Sequence, residues 1–291
     1  MKTLNEQIEE ILKGQSSRTS KRIALAKLGL LDSDVEIIMG NLPKPERNAR
    51  FAYTFGVEIE CINVDRTLMH NAARNRKLVI AYEGYNHNDN ATYYKFVTDG
   101  SICGSNAIEC VSPVLTCKDG FASLKACCEA LNDVGASVNK STGLHVHIAT
   151  PKMTDLWYAN VFKNYQKLEA VIDTFMAPSR RGDENCYCHT LEDHDFEECD
   201  SVRGVQCELG YDRYHKVNAE AYDRHKTIEF RQHQGTTNYE KINNWVRFCA
   251  KLVGWSKNHV LYEAVASIDE IPFLNKSEKR YYNRRATELA R

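Results

Sequence analysis

Apolar and polar residues alternate through the middle of the chain, and this pattern predicts β-strands. In FGVEIEC (residues 55–61), apolar positions alternate with positions that include Glu58 and Glu60. Because successive side chains of a strand point to opposite faces, this strand has an apolar face and carries both glutamates on the other face. Similar patterns predict further strands in TYYKFV, NAIECVSPVL, GLHVHIA, RYHKVNA and KTIEFRQHQG.

Apolar residues with helical spacing lie between these strands and after them. Residues 119–134, 154–176 and 239–258 place apolar side chains three and four positions apart, as the buried stripe of an amphipathic helix requires. Because the strands come in runs with helices between and after them, we expect an α+β fold.

The N-terminal region has a different pattern. Residues 1–47 predict short helices that end near Pro43 and Pro45, so we divide the chain into a helical arm (1–47) and a main domain (48–291). Two short helices joined by a turn also occur in DNA-binding modules. A small arm or docking module is the more common use of this pattern.

Composition narrows the class of protein. The chain has 291 residues, of which 43% are hydrophobic and 26% charged, as in soluble globular proteins. A net charge of −1 provides no overall field that attracts nucleic acid or an anionic membrane. Without an apolar run of membrane-spanning length or a signal peptide, we expect a cytoplasmic protein with reduced cysteines and no membrane partner.

Four of the predicted strands pair an apolar face with a face of acids, histidines or arginine. Beside Glu58 and Glu60, the candidate residues on these faces are Glu109, His145, His147, Glu229 and Arg231. His233 shares the face of Glu229 but lies two residues beyond Arg231 along the strand, outside the expected site. A face that only meets water would also use lysine, threonine, serine and glutamine freely. Because converging carboxylates repel one another without a cation, we expect this set to surround two divalent metal ions, with Arg231 able to bind a phosphate group.

The same motifs resemble those of the amidoligase family, which is related to glutamine synthetase and glutamate–cysteine ligase. They are FGVEIE, DGSICGSNAIECVSPVL, GLHVHI and TIEFRQHQGT, and the resemblance covers residues 51–255. It implies a glutamine synthetase-like catalytic core, with a curved and mostly antiparallel sheet flanked by helices. It also implies ATP-dependent joining of a carboxylate to an amine through an acyl phosphate, with Mg²⁺ or Mn²⁺. Members are common in bacteria and phages, which suggests the cytoplasm of a bacterium or of a phage-infected cell.

The family pattern also implies metal-binding residues. Glu58, one histidine and Glu229 would hold one ion, and Glu60 and Glu109 would hold the other. The pattern does not decide which histidine binds; our first choice is His145 and our second is His147.

Further roles follow from the same resemblance. Arg231 would contact the transferred phosphoryl group, and Asp99 would orient the attacking amine and take its proton. In PSRRGDENCYC, a clamp for phosphate or substrate is implied for Arg180, Arg181, Asn185 and Tyr187.

The substrates stay open, and so do two other functions. The amine could belong to an amino acid, a polyamine, a peptide or a modified nucleobase. A metal-dependent hydrolase could use the same polar face to activate water, and a non-catalytic binding protein could retain the fold.

The acidic segment 182–210 has two interpretations. Its length and few core residues suggest a lid or an insertion that excludes water from the site. Alternatively, zinc could bind its thiols and imidazole, although their spacing lacks the usual pair of closely spaced cysteines; these residues are Cys186, Cys188, His189, Cys199 and Cys207.

Overall fold

The chain divides into two compact units, Met1–Arg50 and Phe51–Arg291. The computed structural model describes residues 4–13, 21, 24–25, 27–28, 53–84, 92–149 and 152–290. In the first unit, helix α1 spans Leu4–Lys13, and four apolar residues pack around the buried Leu25: Ile8, Ile11, Leu12 and Leu28. Most of the other predicted helices of the arm lie outside the described residues.

The second unit is built on one sheet of eight strands within the described residues. The strands are β1 Thr54–Cys61, β2 Ile80–Tyr82, β3 Tyr94–Val97, β4 Ile108–Val111, β5 Leu115–Thr116, β6 Gly143–Ala149, β7 Val217–Asn218 and β8 Ile228–Gln234. Their order is β2-β3-β4-β1-β6-β8-β7, and β5 pairs with the start of β1. The β2–β3 pair is parallel and the other described pairs are antiparallel.

Seven α-helices accompany this sheet among the described residues. They are α2 Arg66–Asn75, α3 Cys117–Asp133, α4 Asp155–Thr174, α5 Val202–Glu208, α6 Ala221–His225, α7 Tyr239–Ser256 and α8 Lys276–Leu289. Side chains cap several of these helices at the N-terminus, for example Asp65 on α2 and Asn238 on α7. The open sheet and its helices confirm the predicted α+β class with mostly antiparallel strands.

One face of the sheet forms the hydrophobic core with the long helices. Val57 and Ile59 of β1 are buried on this face, and Phe55 stacks on Phe121 of α3 with ring centroids 4.7 Å apart. Helices α4 and α7 pack together, and Trp157 Nε1 donates a 2.6 Å hydrogen bond to Val253 O. The other face of the central strands therefore remains available for the polar residues.

None of the helices that the structure describes is both long enough and apolar enough to cross a lipid bilayer.

Candidate active site

The strand register brings the predicted acids and histidines onto one face of the sheet. β1 lies between β4 and β6, and β8 follows on the other side of β6. Cross-strand partners are Glu60 with Glu109, Glu58 with His145, and His147 with Glu229. Because directly opposite residues point to the same face with Cβ atoms about 4.5–5.5 Å apart, four strands contribute to one polar cluster.

Glu58 lies at the centre of this cluster. Its Oε2 is 2.8 Å from His145 Nδ1, and its Oε1 is 3.3 Å from His147 Nε2. Burial opposes the charge of Glu58, but the hydrogen bond with His145 and the positive charge of the two nearby histidines hold its pKa well below the usual value. Glu58 is therefore ionised at neutral pH, as a cation ligand has to be.

Glu229 is a second fixed carboxylate. Its Oε2 accepts a 2.6 Å hydrogen bond from Asn218 Nδ2, and its Oε1 accepts one of 2.5 Å from Arg231 Nη1. Burial alone would raise the pKa of Glu229, but the charges of Arg231 and His147 lower it. The Glu229 carboxylate thus keeps both its charge and its orientation.

Glu109 behaves in the opposite way. Its carboxyl group is buried, and burial together with the negative charges of Glu58 and Glu60 raises its pKa well above the usual value. A divalent cation in the cluster would offset this repulsion and favour the carboxylate form. This donor set therefore fits metal ions.

Potential ligand atoms form three overlapping groups, within each of which they lie no more than 4.8 Å apart. The groups are Glu58, His147 and Glu229; Glu58, Glu109 and His145; and Glu60, Asp99 and Glu109. The all-carboxylate group suits Mg²⁺ or Mn²⁺, and the mixed groups suit ions that also accept imidazole. Asp99, predicted to lie near the amine, is thus also placed beside two of the predicted metal ligands.

His147 has the surroundings of a positioned metal ligand. Its Nδ1 forms a 2.9 Å hydrogen bond with Thr227 Oγ1. Its Nε2 is buried and lies 3.3 Å from Glu58 Oε1, but it makes no hydrogen bond among the described residues. Metal-binding histidines commonly use the second ring nitrogen for a hydrogen bond that fixes the ring. A cation would satisfy the remaining nitrogen of His147.

Two cavities meet at the cluster. One has a volume of about 440 Å³, extends along the start of β1, and is lined in part by Gly56 and Lys95. The other has a volume of about 450 Å³ and is lined in part by Glu60, Ser101 and Tyr187. Four residues border both cavities: Asp99, His145, Arg213 and Arg231. The cluster therefore lies between two spaces that could each hold a small molecule.

Two buried arginines lie at the cavities. Arg231 borders both of them, and its Nε donates a 3.4 Å hydrogen bond to Tyr187 O. Arg180 lines the second cavity, where its Nη2 donates to Thr142 O at 2.8 Å and its Nε has no partner among the described residues. Both guanidinium groups could bind an anion there.

The other residues of the predicted clamp do not all line the cavities. Arg181 donates 3.0 Å hydrogen bonds to Met176 O and Leu289 O, and Asn185 Oδ1 accepts a bond from Tyr187 N. Neither Arg181 nor Asn185 lines either cavity, whereas Tyr187 lines the second. Arg181 therefore ties this segment to the end of α8, and Asn185 holds the local chain.

His233 is not on the site face, contrary to the alternation predicted for β8. The register between β6 and β8 shifts, so that two residues of β8 lie opposite His145. His233 consequently pairs with Leu144, and its ring packs against Trp245 at a centroid distance of 5.8 Å. A bulge has moved this residue into the core.

Three further polar residues at the site were not predicted. Lys95 is buried in β3 and lines the first cavity, Asn218 of β7 holds Glu229, and Arg213 borders both cavities. The signal that could have identified Lys95 is a lysine among the apolar residues of TYYKFV. Arg213 and Asn218 lie in RYHKVNA, for which the sequence predicts a strand without showing which strand it joins.

The segment 182–210 is partly built into the core. Contrary to the expectation of few core residues, six of its apolar side chains are buried: Cys188, Leu191, Phe196, Cys199, Val205 and Leu209. Gln166 of α4 donates hydrogen bonds to Leu191 O and His194 O at 2.7 and 2.6 Å. The proposed zinc-binding cysteines form no group of three potential ligands within the described residues.

A family model described as "Putative amidoligase enzyme" matches residues 52–253. This range contains every residue of the cluster described above. A comparison with curated proteins gives no match.

Proposed function

The chain belongs to the amidoligase family, and from this premise we propose that it is an ATP-dependent ligase that forms an amide through an acyl phosphate. The observation that carries the proposal is the position of the acid–histidine cluster and Arg231 between two cavities. Phosphoryl transfer depends mainly on positioning two reactants and on compensating negative charge. This site has residues for both tasks.

The proposed metal-binding residues follow from the contacts. Glu58, His147 and Glu229 would hold one ion, with His145 beside Glu58 and Glu109. Glu60 and Glu109 would hold the other, with Asp99 next to them. The buried Nε2 of His147, which makes no hydrogen bond among the described residues, leads us to prefer His147 to His145 in the first set. Two bound ions would compensate the charge of ATP phosphates and of the transferred group.

Arg231 and Arg180 would bind anionic groups during the reaction. Arg231 reaches both cavities and is held by Glu229, so its guanidinium group can contact a phosphoryl group that passes between substrates. Arg180 lies in the second cavity and would bind the carboxylate or its phosphorylated form. The reacting carboxylate gains a phosphate leaving group, which the amine then displaces.

Asp99 is the proposed acceptor of the amine proton. Its Oδ1 accepts hydrogen bonds from Ser101 N at 2.7 Å and Ser101 Oγ at 2.6 Å, which fix the carboxylate at the second cavity. An amine attacks only in its neutral form, so a fixed carboxylate beside it supports the reaction.

The test is incubation with ATP, Mg²⁺ and a mixture of carboxylates and amines. We expect ADP, phosphate and a product whose mass equals that of both parents minus one water. Glu58→Gln should abolish this turnover without unfolding the protein, and Glu263→Gln, at an exposed position, should retain it. Cleavage of a peptide or ester without nucleotide turnover would instead support the metal-dependent hydrolase. Binding of the substrates without any turnover would support a non-catalytic protein.

A further inference from the structure

Two histidines outside the cluster, His194 and His215, face each other within the segment 182–216. His194 Nε2 lies 3.2 Å from His215 Nε2, and the ring planes are 74° apart with centroids at 5.0 Å. His215 is buried and His194 is partly exposed. The two imidazoles therefore approach each other through Nε2, the ring nitrogen farther from the backbone.

The other nitrogen of each ring has an oxygen partner. His194 Nδ1 lies 3.4 Å from Glu208 Oε1, and His215 Nδ1 lies 3.2 Å from Asp212 O. An oxygen partner on one nitrogen, which fixes the tautomer and leaves the other nitrogen as a ligand, is the common arrangement of metal-bound histidine. Both His194 and His215 have this arrangement.

When both rings are neutral, proton counting favours a cation between them. If Nδ1 of both neutral rings donates to its oxygen partner, both Nε2 atoms carry lone pairs and face each other. If instead His194 Nε2 donates to His215, His194 Nδ1 turns a lone pair toward the Glu208 carboxylate. A metal ion between the Nε2 atoms lets every ring nitrogen of both neutral histidines find a suitable partner.

The distance between the two nitrogens also suits an ion. Nitrogens bound at about 2.0–2.1 Å to one tetrahedral ion lie roughly 3.3 Å apart. The observed separation is 3.2 Å. No third residue of the described part of the chain offers an imidazole, thiol or carboxylate ligand atom within 4.8 Å of both nitrogens, so water would complete the coordination.

We propose that His194 and His215 form a second metal site, for a divalent transition ion that prefers imidazole, such as Zn²⁺. The ion would join His194, in the loop before α5, to His215, which lies just before β7. Backbone hydrogen bonds already connect these parts, from His189 N to Tyr214 O at 2.7 Å and from Lys216 N to His189 O at 2.9 Å. The proposed ion would clamp the segment that carries Tyr187 and Arg213 to the site.

Zinc titration of the full chain by calorimetry, with excess Mg²⁺, tests this site. The acid cluster also contains histidines, so a Glu58→Gln/Glu109→Gln double variant serves as the background. We expect this background to bind one equivalent of Zn²⁺ and to melt at a higher temperature when zinc is present. Adding His194→Gln should remove both effects, whereas adding His259→Gln, at an exposed position, should leave them unchanged.

A second variant tests the site with a smaller change, in case His194→Gln fails to fold. Glu208→Gln retains both imidazoles but weakens the partner of His194 Nδ1, so zinc affinity should fall by about tenfold or more while the fold, followed by circular dichroism, is kept. Equal zinc stoichiometry and affinity in the background and in the folded His194→Gln protein would overturn the proposal. Loss of zinc binding on adding His194→Gln, together with absence of ligase activity in the wild-type chain, would leave this second site established and count only against the proposed function.

Discussion

Single residues of the cluster owe their properties to neighbours on adjacent strands. Glu58 and Glu109 are both glutamates on central strands, yet the pKa of the first is lowered by two histidines and that of the second is raised by burial and two acids. The difference comes from register, which places Glu58 opposite His145 and Glu109 opposite Glu60. The chemistry of each carboxyl group is thus decided by its cross-strand partner.

Replacing Arg231 by lysine tests the proposed contact with the phosphoryl group. Lysine keeps the charge but loses the planar fork that can bind Glu229 and a phosphate oxygen together. We expect kcat for ADP formation to fall by about 10²–10³-fold, with a smaller change in the KM for ATP. Arg284→Lys, at an exposed position on α8, is the matched control and should behave as the wild type. Equal kcat values in the two variants would remove Arg231 from the mechanism.

His233 allows a prediction about acid stability. Its burial lowers the pKa from the usual 6.5 to about 3, so the folded protein keeps this ring neutral while the unfolded chain takes up a proton below pH 6.5. The associated stability is present above pH 6.5 and is lost as the pH falls toward 3, by about 1.4 kcal/mol per pH unit.

The variant His233→Phe should therefore flatten this slope. It removes the 2.7 Å hydrogen bond to Gln234 O, which costs about 1 kcal/mol at pH 7, but it has no proton to take up in acid. Urea unfolding between pH 7 and pH 5 measures the difference. His70→Gln, at an exposed position, controls for the loss of any histidine, and an unchanged slope in His233→Phe would contradict the assignment.

At the scale of elements, the alternation of side chains predicted the faces of β1 and β6 correctly, because that pattern is local to each strand. The order of the strands and the bulge in β8 depend on pairing between distant segments, which one sequence does not reveal. Pairing also decides the length of the strand predicted for RYHKVNA, because only Val217–Asn218 pairs with β8 and forms a strand. Lys216, which directly precedes this strand, forms ion pairs with Glu169 and Asp173 of α4.

The start of β6 is tightly packed against the site. The backbone nitrogen of Gly143 donates a 2.5 Å hydrogen bond to Glu60 Oε2. A methyl group at this position would come within 3.0 Å of His145 Nε2 and 3.2 Å of Arg180 Nη2. We expect Gly143→Ala to lower kcat by about ten- to a hundredfold through displaced side chains, with a melting temperature within a few degrees of the wild type. Gly84→Ala, whose methyl group meets open space, should retain full activity.

Lys216 connects the segment before β7 to helix α4. Its ammonium group is fully buried and lies 2.6 Å from Glu169 Oε1 and 2.9 Å from Asp173 Oδ1. These two acids raise the pKa of Lys216 although burial opposes it. Lys216→Met leaves buried carboxylates without their cation, so we expect a loss of about 3–5 kcal/mol in the free energy of unfolding.

A double-mutant cycle separates the energy of the Lys216–Glu169 contact from the effect of burying each residue. If Lys216 and Glu169 act together, Lys216→Met/Glu169→Leu should cost clearly less than the sum of the two single variants in urea unfolding. The exposed pair Arg284–Glu288 provides the comparison, because Arg284→Met should cost less than about 1 kcal/mol. Additive losses at Lys216 and Glu169 would show that their contact contributes nothing beyond burial.

At the scale of the whole molecule, the second unit contains both the proposed site and the larger hydrophobic core of the described residues. Every residue of the acid–histidine cluster lies between 58 and 229, and the family match covers residues 52–253. The C-terminal helix α8 also belongs to this core, because the buried Tyr282 packs on Phe175 and Phe248 with ring centroids at 4.5 and 5.4 Å. Removal of the two ends of the chain should therefore have unequal effects.

We predict that the fragment 48–291 unfolds in one cooperative transition within a few degrees of the full chain and keeps its ATP-dependent turnover of small substrates. A chain that ends at residue 275 should be destabilised severely, because loss of α8 uncovers Phe175 and Phe248, and removal of one large buried aromatic alone costs about 3–5 kcal/mol. Thermal melts and ADP release measure both effects. If fragment 48–291 proved unfolded while the C-terminal truncation remained stable, the division of the chain at residue 48 would be wrong, since the N-terminal arm would then be part of the catalytic fold.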